Sequence, residues 1–322
     1  AQLLSLLVAT AALTGALFGF ESTPEQSVAW LERYLAIDSS TVSGSLEAAA
    51  VLRDILHQEG VSTKWIVSPA NQPFLYAETG STAADAPKLM LLHHVDVVPP
   101  GPGWSHPPFG SEVDEGALFG RGAIDDKSLG IAHLVSFLRF RELADPGHGL
   151  ILLAVGGEET GGLDGTGWLV ENHPELFANV QAVLTEGGTN RLYGDRLGWW
   201  AIEVAQKRPL WLEATAFGRP GHGSALNLHS APHRLIRGLG KLVDRPIEFR
   251  LTPEARLFLE TVAPLESPAF QEVVASLDEI VQRPDAPKGL LPGMPNYLLD
   301  TIQVNVLEAG EELNVTPGTA RA

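Results

Sequence analysis

The sequence predicts an α/β architecture, a sheet with helices on its faces, and three observations carry that expectation. Amphipathic helical segments alternate with short apolar runs of strand length from residue 23 to residue 155, the pattern of strands joined through helices. The chain has 322 residues, of which 44% are hydrophobic, enough for a sizeable core and two domains of ordinary size. Several apolar runs end in His, Asp or Glu beside glycine or proline, and ligands of such sheets bind beyond the carboxyl ends of the strands.

Composition narrows the chemistry. The formal net charge is −17, with 39 acidic against 22 basic residues. This argues against nucleic acid, which is bound through basic patches, suits a soluble protein, and leaves room for carboxylates gathered around cations. With no cysteine, disulfides, thiolate zinc sites and a cysteine nucleophile are excluded, and any zinc is left to His and carboxylate.

Residues 1–20 carry no charge, and 3–20 are mostly apolar. Their length fits the apolar part of a signal peptide or a membrane anchor, and small residues at Thr14 and Ala16 allow a cleavage site; an ordinary buried helix is the third reading. The expected location is accordingly exported (periplasmic or secreted) or membrane-anchored, with the cytoplasm still open.

Thr23-Pro24-Glu25-Gln26 starts a helix, with Thr as N-cap and Pro at the first position, and Val28, Leu31, Tyr34 and Leu35 form its apolar stripe. A second helix is expected over 46–58, ending at Gly60. Strand-like runs follow at 63–67, 75–78 and 89–92, the last continuing to His94-Val95-Asp96 before Pro99-Pro100 stops it. Side chains two apart on a strand share a face. His94 and Asp96 therefore read either as a metal ligand with its orienting carboxylate or as an accident of the surface.

Residues 118–127 turn through Gly120 and Gly122 and deliver Asp125 to the start of a helix ending near Phe140. Asp125 is a ligand candidate or a plain N-cap; neither Walker nor dinucleotide spacing is present. The strand at 150–155 runs into Gly156-Gly157-Glu158-Glu159-Thr160-Gly161-Gly162. A turn needs one or two glycines, so four around two carboxylates suggest more than turn chemistry. One Glu can ligate a metal while the other serves as a base. The run 182–185 ends in Glu186-Gly187-Gly188. One His with several carboxylates suits a hard-to-borderline metal.

From about Lys207 the texture changes: a strand at 210–217, then Gly221-His222-Gly223-Ser224, a helix at 231–243, a Pro-rich stretch at 244–292 with two helical patches, and a strand-rich run at 296–307. His222 between glycines is a turn residue or a functional one.

Taken together, His94-Val95-Asp96-Val97-Val98-Pro99, Gly120-Arg121-Gly122 with Asp125-Asp126-Lys127, Glu158-Glu159-Thr160-Gly161-Gly162, Glu186-Gly187-Gly188, Gly221-His222-Gly223-Ser224 and Asn314-Val315 with Pro317 resemble the di-zinc metallopeptidase family of aminoacylase and carboxypeptidase S, its carboxypeptidase S-like branch in particular. The resemblance implies a mixed sheet with helices on both faces for a catalytic domain over 21–206. It implies an α+β lid or dimerisation domain over 207–322, with an insertion at about 244–292. It implies two zinc ions per subunit in the complete protein: His94 on one, Asp125 bridging both, and Glu159 and Glu186 completing the set. Asp96 would orient His94, Glu158 would be the general base, and His222 would stabilise the tetrahedral intermediate. The implied substrate is a short peptide, cleaved as a carboxypeptidase does, or an N-acyl amino acid, with a homodimer formed through the lid. In the family the chain returns after the lid and supplies a last ligating His. The sequence here stops at Ala322, and His93, His106, His148, His229 and His233 match no such motif. The expectation is therefore a fragment with an incomplete site, the alternative being an inactive member that serves as a binding or dimerisation module.

Overall fold

The computed structural model describes residues 23–322 except 82, 84, 144–146, 189, 195, 209, 247 and 284. The segment 1–20 lies outside them; no helix among the described residues is long and apolar enough to cross a membrane. The chain packs as two compact units, one up to Glu186 and one from Gly187.

In the first unit, α1 (Pro24–Leu35) begins where the cap predicts, with the Gln26 amide donating to Thr23 Oγ1 at 3.2 Å. Helix α2 (Val42–Gln58) starts earlier than its apolar stripe suggests, because Thr41 caps it through the Gly44 amide at 3.1 Å. Strands β1 (Lys64–Val67), β2 (Pro73–Gly80) and β3 (Lys88–His94) follow, then the hairpin β4 (Glu112–Asp114) and β5 (Ala117–Phe119), helix α3 (Lys127–Arg141) and strand β6 (Gly149–Val155). Helix α4 (Trp168–Asn172) and strand β7 (Val180–Leu184) complete the unit.

The sheet order is β1-β2-β6-β3-β7. Strands β6 and β7 run parallel to β3 on either side of it, whereas β2 is antiparallel to both β1 and β6. The sheet is therefore mixed, with helices on both faces, as expected. Alternation along β6 splits the core: Leu150, Leu152 and Ala154 join Tyr34, Leu52, Ile55, Leu134 and Phe137 from the first three helices. Ile151, Leu153 and Val155 join Phe74, Met90, Leu169 and Leu176 on the other face. Burial of β6 on both faces is what a central parallel strand requires. The carboxyl ends of β6, β3 and β7, three adjacent parallel strands, consequently open on one edge of the sheet.

The second unit holds three small antiparallel pairs: β8 (Arg191–Tyr193) with β9 (Arg196–Trp199), β10 (Thr215–Phe217) with β13 (Thr319–Arg321), and β11 (Gly221–His222) with β12 (Val315–Thr316). Helix α5 (Ala231–Val243), capped by Ser230, packs Ala231 and Leu235 on Ala320. The Pro-rich stretch, where two helical patches are expected, holds α6 (Pro253–Val262) and α7 (Pro268–Ala275) and, beyond that expectation, the single turns Leu277–Ile280 and Ala286–Gly289. Two expectations are corrected. The strand at 210–217 is confined to Thr215–Phe217, with Leu210, Trp211 and Leu212 exposed. The run at 296–307 forms no strand beyond an isolated bridge at Leu299. Alternation supplies the period of a strand but not a neighbour to accept its backbone bonds, and only 215–217 finds one here.

Leu153 is fully buried whereas Leu192 is 62% exposed. Leu153→Ala is expected to destabilise the first unit by about 2–5 kcal/mol, and Leu192→Ala to stay within about 0.5 kcal/mol of the parent, read as denaturant midpoints at unchanged slope.

Candidate metal centre

His94 closes β3 and is 2% exposed. Its Nδ1 lies 2.9 Å from the backbone oxygen of Asp96. A carbonyl only accepts, so Nδ1 carries a proton, and Nε2 is the nitrogen left to face the site. Nε2 is 2.9 Å from Asp125 Oδ1 and 3.6 Å from Glu186 Oε2. Asp125 comes from the turn before α3, and Glu186 follows β7 by two residues. Donor atoms of His94, Asp125 and Glu186 lie within 4.8 Å of one another. One imidazole and two carboxylates with an open side are the donor set of a catalytic divalent-metal site, so the residues fit such an ion.

Asp96 organises the neighbouring turn. Its Oδ1 accepts the Glu158 amide at 3.2 Å and its Oδ2 the Glu159 amide at 3.0 Å. Since β3 and β6 are parallel with His94 opposite Val155, the residues past each strand end are neighbours, and one carboxylate ties the two ends together.

The charges explain each titration. Burial pulls the His94 imidazole down, but contact with Glu186 and the charges of Asp126, Asp96 and Glu186 outweigh it and raise its pKa to about 10. Burial lifts Asp126 to about 7, with His94 opposing and Glu186 adding repulsion. Partial burial raises Glu158, with attraction from His94 opposing and repulsion from Glu186 and Asp96 adding to it. Partial burial likewise raises Glu159, with Asp125 the leading charge. Glu186 is lowered, chiefly by its contact with His94.

Placed against the sequence reading, His94, Asp125 and Glu186 come together. Asp125 does not cap α3: the cap position is Asp126, and it makes no side-chain cap bond. Glu159 lies in the turn held by Asp96 but outside the three-residue cluster. Asp96 meets His94 through its carbonyl rather than its carboxylate, whose nearer oxygen is 3.7 Å from Nδ1. His222 lies in the second unit, on β11, exposed, with Nδ1 accepting the Ser224 amide at 3.2 Å.

Sequence reasoning passed over two residues. Asp126 is 1% exposed and accepts the His94 amide at 3.3 Å. Lys127 is fully buried although it opens a helix, where the macrodipole disfavours a cation. A Lys at that position was the available signal.

A metal must displace the Nε2 proton of His94. Because that pKa stands well above its ordinary value of 6.5, the apparent affinity for zinc is expected to rise with pH through the neutral range, by about tenfold per pH unit for one displaced proton. Proton release measured calorimetrically in buffers of different ionisation enthalpy checks this, and an affinity indifferent to pH contradicts it. The metal-free fold should behave oppositely: the charged imidazole stabilises it fully below pH 6.5, and that contribution disappears as pH climbs towards about 10.

Comparison with known proteins bears on the same residues. The chain is 34% identical over 196 residues to a succinyl-diaminopimelate desuccinylase of Acidiphilium cryptum, covering 61% of this chain and 50% of that protein. It is 30% identical over 230 residues to the enzyme of the same name from Paracoccus denitrificans, covering 70% and 58%. It thus spans about half the length of the curated relatives it matches. These relatives are desuccinylases and lend no support to the carboxypeptidase S-like branch. In fold the chain resembles the M20 family metallo-carboxypeptidase Sso-CP2 from Sulfolobus solfataricus, with a TM-score of 0.57 at 18% identity over 92% of this chain and 69% of that one. It also resembles human carnosine dipeptidase 1, with a TM-score of 0.55 at 18% identity over 92% and 68%. Residues 90–312, which include every residue assigned to the site, match the description of peptidase family M20/M25/M40, and the chain belongs to that family.

Proposed function

We propose that the protein is a zinc-dependent hydrolase that cleaves the amide bond of an N-acyl amino acid. The observation that carries this is the convergence of His94, Asp125 and Glu186 on one point, with Glu158 held beside them by Asp96. Zinc bound there supplies Lewis acidity, drawing the pKa of water towards neutrality and polarising the amide carbonyl. Glu159, whose carboxyl feels the charge of Asp125, would help to hold a second zinc.

The chain's own groups do the remaining work. Glu158 has its pKa raised from the ordinary 4.5, towards the range in which a carboxylate both accepts and returns a proton. It takes the proton of the attacking water and passes it to the leaving amine nitrogen. Asp96 keeps Glu158 in place through the backbone and keeps His94 in the tautomer that presents Nε2. His222 is assigned the oxyanion: with Nδ1 accepting the Ser224 amide, Nε2 is the nitrogen left to donate. Pairing of two copies through the second unit belongs to the same proposal. The name shared by the curated relatives supports an acylated diamino acid as substrate, and succinyl-diaminopimelate is the first compound to test.

Glu158→Gln is expected to lower turnover by about 100- to 10,000-fold and leave metal content unchanged. Retained turnover would remove Glu158 from the role. Faster cleavage of short peptides than of N-acyl amino acids would move the substrate class and leave the chemistry. No amide hydrolysis at all by the zinc-loaded chain would overturn the enzymatic reading in favour of a binding module.

A further inference from the structure

We propose that Lys127 is a positioning residue that sets the two halves of the metal centre in register by tying the Asp125 arm to the end of α1 and the connector after it, the connector that also holds the His94 arm. The inference rests on the reading of His94, Asp125 and Glu186 as metal ligands.

The Lys127 side chain leaves its own helix and crosses to another. Its Nζ donates to the carbonyl oxygens of Tyr34 at 2.9 Å and Ile37 at 2.8 Å, and lies 5.1 Å from the centre of the Tyr34 ring. The last carbonyls of a helix lack intrahelical partners, and a cation placed there also meets the favourable end of the helix dipole. Two carbonyls and a ring face occupy the three donors of an ammonium, and no part of Lys127 reaches solvent.

The same connector between α1 and α2 holds the other half. Ser39 O accepts the amide of Val97, the residue after Asp96, at 3.2 Å. The two arms also touch directly. Gly122 has a φ of +85°, and a Cβ there would stand 2.7 Å from Val97 Cγ1 and 3.2 Å from Lys127 Cδ. The arm carrying His94 and the arm carrying Asp125 therefore share one reference point.

Asp125 needs such an anchor. Its side chain is 63% exposed and the preceding Ile124 is 91% exposed, so packing of their own does not hold these residues. Asp126, one residue on, is buried and accepts the His94 amide, and Lys127, two residues on, is the buried side chain that ties the segment to α1. Losing its ammonium leaves the fold's apolar contacts intact but lets Asp125 drift from His94.

The test uses the whole 322-residue chain and cobalt(II) as the probe, read by its visible absorption bands, together with thermal melting of the metal-free chain. Lys127→Met keeps the apolar stem and removes the donors. It is expected to fold, with cobalt affinity weakened by about 10- to 100-fold, as for loss of an outer-shell partner, and with a changed band pattern. The chain has no cysteine, so Lys127→Cys offers a single thiol. Alkylation with 2-bromoethylamine in denaturant, followed by refolding beside the parent, restores an amine at this position alone and is expected to restore affinity and spectrum. Parental affinity and spectrum in Lys127→Met overturn the proposal. So does an alkylated Lys127→Cys chain no better than the unalkylated one, and so does a Lys127→Met chain that fails to fold, since the residue then serves the unit as a whole. If the parent binds no cobalt, the metal-ligand reading itself falls and this proposal with it. If parent and Lys127→Met bind alike, this proposal falls alone.

Discussion

Asp96 makes contacts on which the geometry of the whole site depends. Its carbonyl oxygen takes the Nδ1 proton of His94, and its carboxylate takes the amides of Glu158 and Glu159. The first contact decides which imidazole nitrogen faces the cluster. The second decides where the Gly-rich turn after β6 stands relative to the end of β3. A buried carboxylate satisfied by two amides is a strong, directional tie, and Asp96 is only 6% exposed. Replacing the side chain would leave the amides of Glu158 and Glu159 without partners at once, while the carbonyl that holds His94 would remain.

The metal-free site is electrostatically unfavourable by construction. One imidazole stands among Asp125, Asp126, Glu158, Glu159 and Glu186, and of Asp126, Glu158, Glu159 and Glu186 only Glu186 is lowered. Each of the others is raised, by burial first and then in part by its acidic neighbours. Such an arrangement persists because the sheet and its backbone bonds dictate it, and a divalent cation would relieve it. The same excess of negative charge explains why His94 holds its proton so tightly without metal, and why proton release must accompany loading.

Those parts of the site that lie next to a strand end were legible in one dimension. His94, Glu158, Glu159 and Glu186 follow apolar runs and adjoin glycine or a proline stop, and both the strand period and the turn chemistry are local signals. What was not legible depends on distant partners. The Asp96 carboxylate finds its donors at Glu158 and Glu159, some 62 residues away; nothing within its own strand distinguishes that from a bond to His94. The cap reading of Asp125 fails by a shift of one residue, with Asp126 in the cap position and Asp125 turned to His94. In the second unit, alternation at 210–217 and 296–307 promised more strand than the chain pairs, because period alone does not name a neighbour.

The adjacent histidines of β3 show how completely a one-residue step changes chemistry on a strand. His93 points to the opposite face, towards His133 of α3, with ring centroids 6.0 Å apart and neither ring finding a hydrogen-bond partner among the described residues. Burial holds the pKa of His93 well below the ordinary imidazole value and lowers that of His133 to about 4, so both rings favour the neutral form. Gly130 is what admits the ring: a Cβ there would stand 2.6 Å from His93 Cδ2. His94, one position on, is surrounded by carboxylates and charged. The same side chain thus packs as an apolar ring on one face and serves as a candidate ligand on the other. The difference lies in what the sheet sets opposite each: a glycine of α3 for His93, and the carboxylates beyond the strand ends for His94.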